Sequence, residues 1–222
     1  MAVSPHAPAH ELRLIEDTLV AGGRLTFGGE AVNWVIHVVH GSVTLNEQDY
    51  QDDMACLGQG VATLQAGVAG VTVWRFELAR LGVTPVRADA ECGRSRPKLT
   101  HLVTLPSGDL LMRNDSVAFP PAGCAYRHTH QGPGVRCLIE GGIRIDTEGT
   151  STSYGPGGAW FESGPEPVFA QAATDRPSRF VRVMVLPAEL LGKSSIRYVD
   201  PADRDKPKVQ SYKSYAEGLI TP

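Results

Sequence analysis

Two histidines one residue apart, His128 and His130, stand in the stretch YRHTHQGPGVRCLIEGGIRI, residues 126–145. On a β-strand, side chains at i and i+2 point to the same face, so the pair would aim two imidazoles at one point. Neutral imidazole is a ligand for Fe, Zn, Mn, Ni and Cu, and a catalytic ion keeps three or four protein ligands and an open position. The pair therefore reads as half of a metal site, although an isolated His-x-His on a strand is more often a surface or core feature, and other residues would have to supply the rest. Gln131 and Glu140 lie beside it, and Glu162 in AWFESG and Gln171 in VFAQAA lie further on. Glu140 precedes a turn glycine, Gly141, and is expected to face solvent. Gln131 alternates to the opposite face from the histidines if the strand continues, although QGPG reads as the start of a loop. His101, in KLTHLVTL, could complete a site from a neighbouring strand, but a lone histidine in such a pattern is more often a surface or hydrogen-bonded residue.

The elements that must position these residues are strands. Gly 24 and Pro 16 punctuate short segments rich in Val, Ile, Thr and aromatics, such as VNWVIHVVHGSVTL, VTVWRFEL, GVRCLIEGGIRI and SRFVRVMVL, which is the pattern of an all-β sandwich or barrel. One short helix is expected in PAELLGKSS, capped by Gly192. The two halves echo each other at an offset near 100 residues: AGGRLTF, VNWVIHVVHG, GQGVATLQAG and VTVWRFEL recur in order as AGCAYRHTH, GVRCLIEGG, GPGGAWFESG and FVRVMVL. Such an internal repeat implies a duplicated barrel. The expected division is an amino-terminal barrel over residues 1–85, a linker over 86–97, a carboxy-terminal barrel over 98–195 and a polar, proline-bearing tail over 196–222 that lies across a neighbouring surface. The first copy reads LTFGGEAVNW where the second has its His-x-His. His37 and His40 come later in VIHVVHG, with His40 opposite Glu140 beside the turn glycine, so the first barrel reads as structural.

Composition narrows the function classes. With 42% hydrophobic residues in 222, the chain can bury a core without disulfides. Its formal net charge of -3 comes from 21 basic and 24 acidic residues without a long run of either sign, so neither nucleic acid nor an anionic membrane is favoured as a partner. A small molecule is the expected partner. No stretch approaches the roughly 20 apolar residues of a transmembrane helix, and MAVSPHAPAHELRL lacks the basic and apolar regions of a signal peptide; a cytoplasmic protein is the expectation. The four cysteines form no CxxC pair, and Cys56 and Cys137 read as small buried apolar residues.

Within its repeat the sequence resembles the cupin superfamily, specifically a bicupin of two jelly-roll barrels, over nearly the whole chain before the tail. The first cupin motif is matched by Gly123, His128, His130 and Gly141, and the second is echoed by GPGGAWFESGPEPVFAQAA. The resemblance implies tandem barrels with little helix, a small-molecule substrate, a homodimer, and one divalent transition metal, Fe(II) before Zn, Mn, Ni or Cu. It also exposes two departures. The family's glutamate would fall at Gly134 or Val135, and its later histidine would fall within PVFA, residues 167–170. Glu162 is the preferred substitute, because two histidines and a carboxylate form the facial set that holds non-haem Fe(II). Gln171 is the further candidate ligand. Where Glu162 is not a ligand, it is the candidate acid or base. Tyr126, Arg136, Trp160 and Phe169 are expected to line a substrate pocket, with Arg136 pairing an acid through its planar fork. The leading expectation is a metal-dependent enzyme acting on a small organic molecule, dioxygenation being favoured over decarboxylation, isomerisation or lyase chemistry. The alternative is a non-catalytic binding or sensing bicupin whose metal site has decayed.

Overall fold

The structure, a computed structural model, describes residues 9–222. Residues 1–8, which open the expected first barrel and most of the stretch read for a signal peptide, lie outside the described residues. The described residues divide into two compact units, 9–105 with Ile220–Pro222, and Pro106–Leu219.

The first unit contains β1 (His10–Leu19), β2 (Arg24–Phe27), β3 (Val32–Leu45), β4 (Gln48–Gln51), β5 (Ala55–Gln59), β6 (Ala62–Arg80) and β7 (Gly93–Val103). Two long strands organise it. The first part of β3 pairs with β5 and with the second part of β6, whereas its last residues pair with β4 and with the start of β6. β2 joins the start of β6 and β1 joins its second part. Between the two parts β3 turns a corner at Gly41, whose φ is +91°. A Cβ there would meet the Gly70 carbonyl oxygen at 2.3 Å, so only glycine fits.

The second unit repeats this scheme with the long strands broken at the corners. It contains β8 (Leu110–Phe119), β9 (Cys124–His130), β10 (Gly134–Glu140), β11 (Ile143–Thr147), β12 (Thr150–Tyr154), β13 (Ala159–Glu162), β14 (Val168–Ala172) and β15 (Ser178–Pro187), then β16 (Ile196–Tyr198) and β17 (Ser211–Ile220). Here β10 and β11 take the place of β3, while β14 and β15 take that of β6. β10 pairs with β13 and β15, β11 with β12 and β14, β14 with β9, and β15 with β8. Gly141 turns the corner at φ +83°, against the Pro177 carbonyl oxygen. Even the bulge before the corner is repeated, between Val38 and His40 and between Leu138 and Glu140. Each unit is thus a jelly-roll barrel, as the echo between the halves implies. Inward apolar residues fill both: Leu25, Phe27, Trp34 and Leu64 in the first, and Val117, Phe119, Trp160 and Phe180 in the second.

Three local expectations are corrected. The linker expected over 86–97 runs into β7, which pairs with β1 from Gly93 opposite Leu19 to Val103 opposite His10. Its charged residues Arg94, Arg96 and Lys98 suit an edge strand, where charge blocks further pairing. The tail does not lie on another surface, because β16 pairs with β9 and β17 joins β8. The expected helix is a single 3-10 turn, Ala188–Leu190, with Gly192 after it at φ +68°. No disulfide joins the four cysteines. Cys137 is buried, and Cys56 packs against the first core with its thiol pushed up to about 11 by burial. Among the described residues, no helix is long and apolar enough to cross a membrane.

Candidate functional site

The two histidines of β9 both point into the second barrel. Each is about 5% exposed, and their rings meet edge to face with centroids 4.9 Å apart. Both Nδ1 atoms are held, that of His128 by the Tyr126 carbonyl at 2.6 Å and that of His130 by Ser195 Oγ at 3.1 Å. The Tyr126 carbonyl can only accept, so it fixes His128 as the Nδ1–H tautomer with a bare Nε2. Burial lowers the pKa of His128, and the charges of Arg182 and Arg136 push the same way. His130 is driven well below its ordinary value, again by burial first and then by Arg136, Arg182 and His128. Both are neutral imidazoles at neutral pH.

Facing them across the barrel is Glu162, at the end of β13. Its Oε2 lies 3.6 Å from His130 Nε2 and 2.7 Å from Nη2 of Arg136, and its Oε1 accepts from Trp160 Nε1 at 2.9 Å. Arg136 is wholly buried on β10 and donates from Nη1 to the Gly134 carbonyl at 2.6 Å. Burial pulls its pKa down to about 10 against the attraction of Glu162. At pH 7 the guanidinium therefore stays charged and the pair is ionic. The two atoms at 2.7 Å are out of line for a hydrogen bond, so Glu162 Oε2 and Arg136 Nη2 are both buried without one. A second pair, Arg182 with Asp115, is bidentate at 2.6 and 3.0 Å. Burial there pulls the pKa of Arg182 down, but the charge and hydrogen bonds of Asp115, together with Tyr212 and Glu162, raise it overall.

The remaining expected site residues are spread over both faces. On β9 the register runs Ala125 opposite Ala170 and His128 opposite Val168, three residues against two, so a bulge separates Ala125 from His128. That bulge breaks the alternation that would have carried Tyr126 inward with the histidines. Tyr126 instead lies outside beneath the ammonium groups of Lys206 and Lys208. On β14, Val168, Ala170 and Ala172 are buried and the residues between them face outward. Phe169 lines an outer groove with Arg127 and Thr147. Gln171 donates to the carbonyls of Ala122 and Gly123 at 2.9 and 3.2 Å, so it is not beside the histidines. Trp160 packs in the core, stacked on Tyr154. Glu140 is exposed and pairs with Arg179, Gln131 is bonded by Arg197, and His101 is exposed on β7 of the first unit.

The residues present do not fit the metal centre that the cupin resemblance implies. The two imidazoles are suitable donors, but among the described residues no three His, Cys, Asp or Glu side chains are gathered so as to hold one ion. The nearest carboxylate, Glu162, is already matched by Arg136, and Asp115 by Arg182. A divalent cation would sit near two buried guanidiniums with no carboxylate left to balance it, a repulsion on the order of several kcal/mol.

Sequence reasoning missed the cavity next to this interior. It measures about 410 Å³ and is lined by His130, Arg182 and Asp115 from the barrel, and by Ser195, Tyr198, Lys208, Gln210 and Tyr212 from the segment after β15. All but Ser195 fall in the expected tail, and the pairing of β16 with β9 and of β17 with β8 brings this segment to the cavity.

No protein-family model matches the sequence, and no curated protein matches it. Solved structures do. The formate complex of oxalate decarboxylase from Lactobacillus farciminis matches with a TM-score of 0.64 at 10% identity, over 90% of this chain and 82% of that one. A deletion mutant of Bacillus subtilis oxalate decarboxylase gives 0.60 at 10% identity, over 82% and 72%. A mutant salicylate 1,2-dioxygenase from Pseudoaminobacter salicylatoxidans in complex with gentisate gives 0.55 at 13%, over 86% and 72%. Likeness at this identity speaks to fold alone: the chain has the cupin jelly-roll fold.

Proposed function

We propose that this chain is a bicupin whose second barrel binds a small organic molecule without a transition metal, and that its first barrel is structural. The carrying observation is the cavity of about 410 Å³ that reaches His130, a volume within the usual range for small-molecule sites. The polar interior beside it supports the reading, since buried ion pairs and neutral histidines add little to stability over apolar packing and so call for another reason to be there. His130 lines the inner end and offers a neutral imidazole. Behind it His128, Arg136 and Glu162 border a separate small void of about 20 Å³.

A metal-dependent enzyme, with oxygenase chemistry first, is the competing reading. One observation favours it: Glu162 Oε2 has no hydrogen bond and lies 3.6 Å from His130 Nε2, so movement of Arg136 would leave two imidazoles and a carboxylate. Elemental analysis of the purified protein, beside a folded His128→Ala, His130→Ala variant, separates the two. Metal well below one per chain, not restored by anaerobic Fe(II) or by Zn(II), is expected. Near one metal per chain, lost in the variant, would overturn the metal-free reading. A homodimer remains part of the proposal, although β16 and β17 complete their own barrel and leave no free tail to embrace a partner. Light scattering at about 24 kDa would sink the dimer.

A further inference from the structure

The cavity walls say more about the occupant than its size does. Four cations border it, Arg113, Arg182, Lys193 and Lys208, against two carboxylates, Asp115 and Glu217, a formal excess of two positive charges. The carboxylates are engaged, Asp115 by Arg182 and Glu217 by Arg113 at 2.6 Å. Lys208 is held differently. Its ammonium donates to the carbonyls of Asp203, Arg204 and Lys206 and lies 4.5 Å from the centre of the Tyr198 ring. Backbone carbonyls and an aromatic face fix the position of that charge without cancelling it. A concave wall of this kind concentrates positive potential on whatever enters.

A second feature asks for the opposite polarity. Gln210 is 8% exposed at the cavity wall, and its Nε2 donates to Tyr212 Oη at 3.2 Å. Its Oε1 is buried with no hydrogen-bond partner. A buried acceptor left unpaired costs about 1–3 kcal/mol, and an occupant that donates to it recovers that cost on binding.

Resting on the binding reading above, we infer that the occupant is a small organic acid carrying a hydroxyl or N–H donor. Its carboxylate faces Lys208, and its donor reaches Gln210. Three probes of one shape test this by isothermal titration at pH 7.5 and low salt: 4-hydroxybenzoate, its uncharged amide 4-hydroxybenzamide, and 4-methoxybenzoate, which keeps the charge but cannot donate. The hydroxy acid should bind about tenfold more tightly than either, and more weakly as salt rises. Gln210→Leu should erase the advantage of hydroxyl over methoxy. The amide binding as tightly as the acid overturns the acid class. Equal binding of the hydroxy and methoxy acids overturns the donor. If no probe binds but mass spectrometry finds a molecule retained through purification, an uncharged molecule overturns this inference and an acid with a donor upholds it. No probe bound and no molecule retained sinks the binding reading itself.

Discussion

Phe27 in the first unit and His128 in the second occupy the same register position, Phe27 opposite Ala62 at the start of β6 and His128 opposite Val168 at the start of β14. The correspondence continues around the barrel. The pairings place Trp34 where the second unit has Gly134, Ile36 where it has Arg136, Cys56 where it has Trp160 and Gly58 where it has Glu162. In the first unit Trp34 therefore lies over Gly58, where even a Cβ would meet its ring at 2.3 Å, and it contacts Phe27 edge to face at 5.3 Å. The plug is aromatic. In the second unit the glycine has moved to the opposite strand, and the vacated volume holds the Arg136–Glu162 pair and the histidines. Both units keep a buried arginine at the next position, Arg75 and Arg182, but Arg75 is matched by Asp17 at 2.7 Å and by Glu77 as well. Pleat and pairing decide which positions face inward; the residues placed there decide whether the interior is aromatic or ionic.

The comparison can be broken most violently at the plug. Trp34→Ala should cost about 3–5 kcal/mol, because the opposing Gly58 has no side chain to collapse into the void. Urea unfolding would show it, and a loss under 1 kcal/mol would mean that the plug does not support the first barrel. Next in size is Arg136→Ile, which copies Ile36 into the second barrel and strands the Glu162 charge, at about 3 kcal/mol. Adding Glu162→Leu should recover most of that loss. The single variant also sharpens the metal question, since Glu162 without its guanidinium should let the histidines bind Co(II), visible by absorption spectroscopy where the unaltered protein shows little.

Acid should separate the units more gently. The depressed pKa values of His128 and His130 mean that the unfolded chain takes up protons first. Stability is therefore unaffected above about pH 6.5 and falls below it, by at most about 1.4 kcal/mol per pH unit for each histidine. Between pH 7 and 5.5 the expected loss is about 2 kcal/mol, and it should shrink in a His128→Phe, His130→Leu variant, whose first change copies Phe27 of the first barrel. An equal loss in that variant would assign the acid sensitivity elsewhere. The smallest effect is expected for Gln171→Ala, at most about 1 kcal/mol, with ligand affinity unchanged, because its amide ties the outer face of β14 to the turn at Ala122.

Much of this was legible in the chain. The echo at 100 residues located two barrels, and alternation placed His128 and His130 on one inward face. Glu162 was picked out as their carboxylate neighbour, though not as the partner of an arginine. The errors have local causes. Tyr126 is two residues from His128 and would share its face on a regular strand, but a one-residue bulge has no signature in composition. Phe169 and Gln171 alternate with small buried residues on β14, a parity that depends on knowing where the strand starts.

By itself the sequence determined the strand pattern, the duplication, the corner glycines and the inward histidine pair, because each follows from interactions between residues close in the chain or from a repeated spacing. Only the tertiary structure decided that Arg136 neutralises Glu162, that the first barrel is plugged by Trp34 over Gly58, and that residues 192–217 wall a cavity beside His130. Those facts depend on side chains from strands distant in sequence meeting across a barrel, and on register shifts that local pattern does not encode.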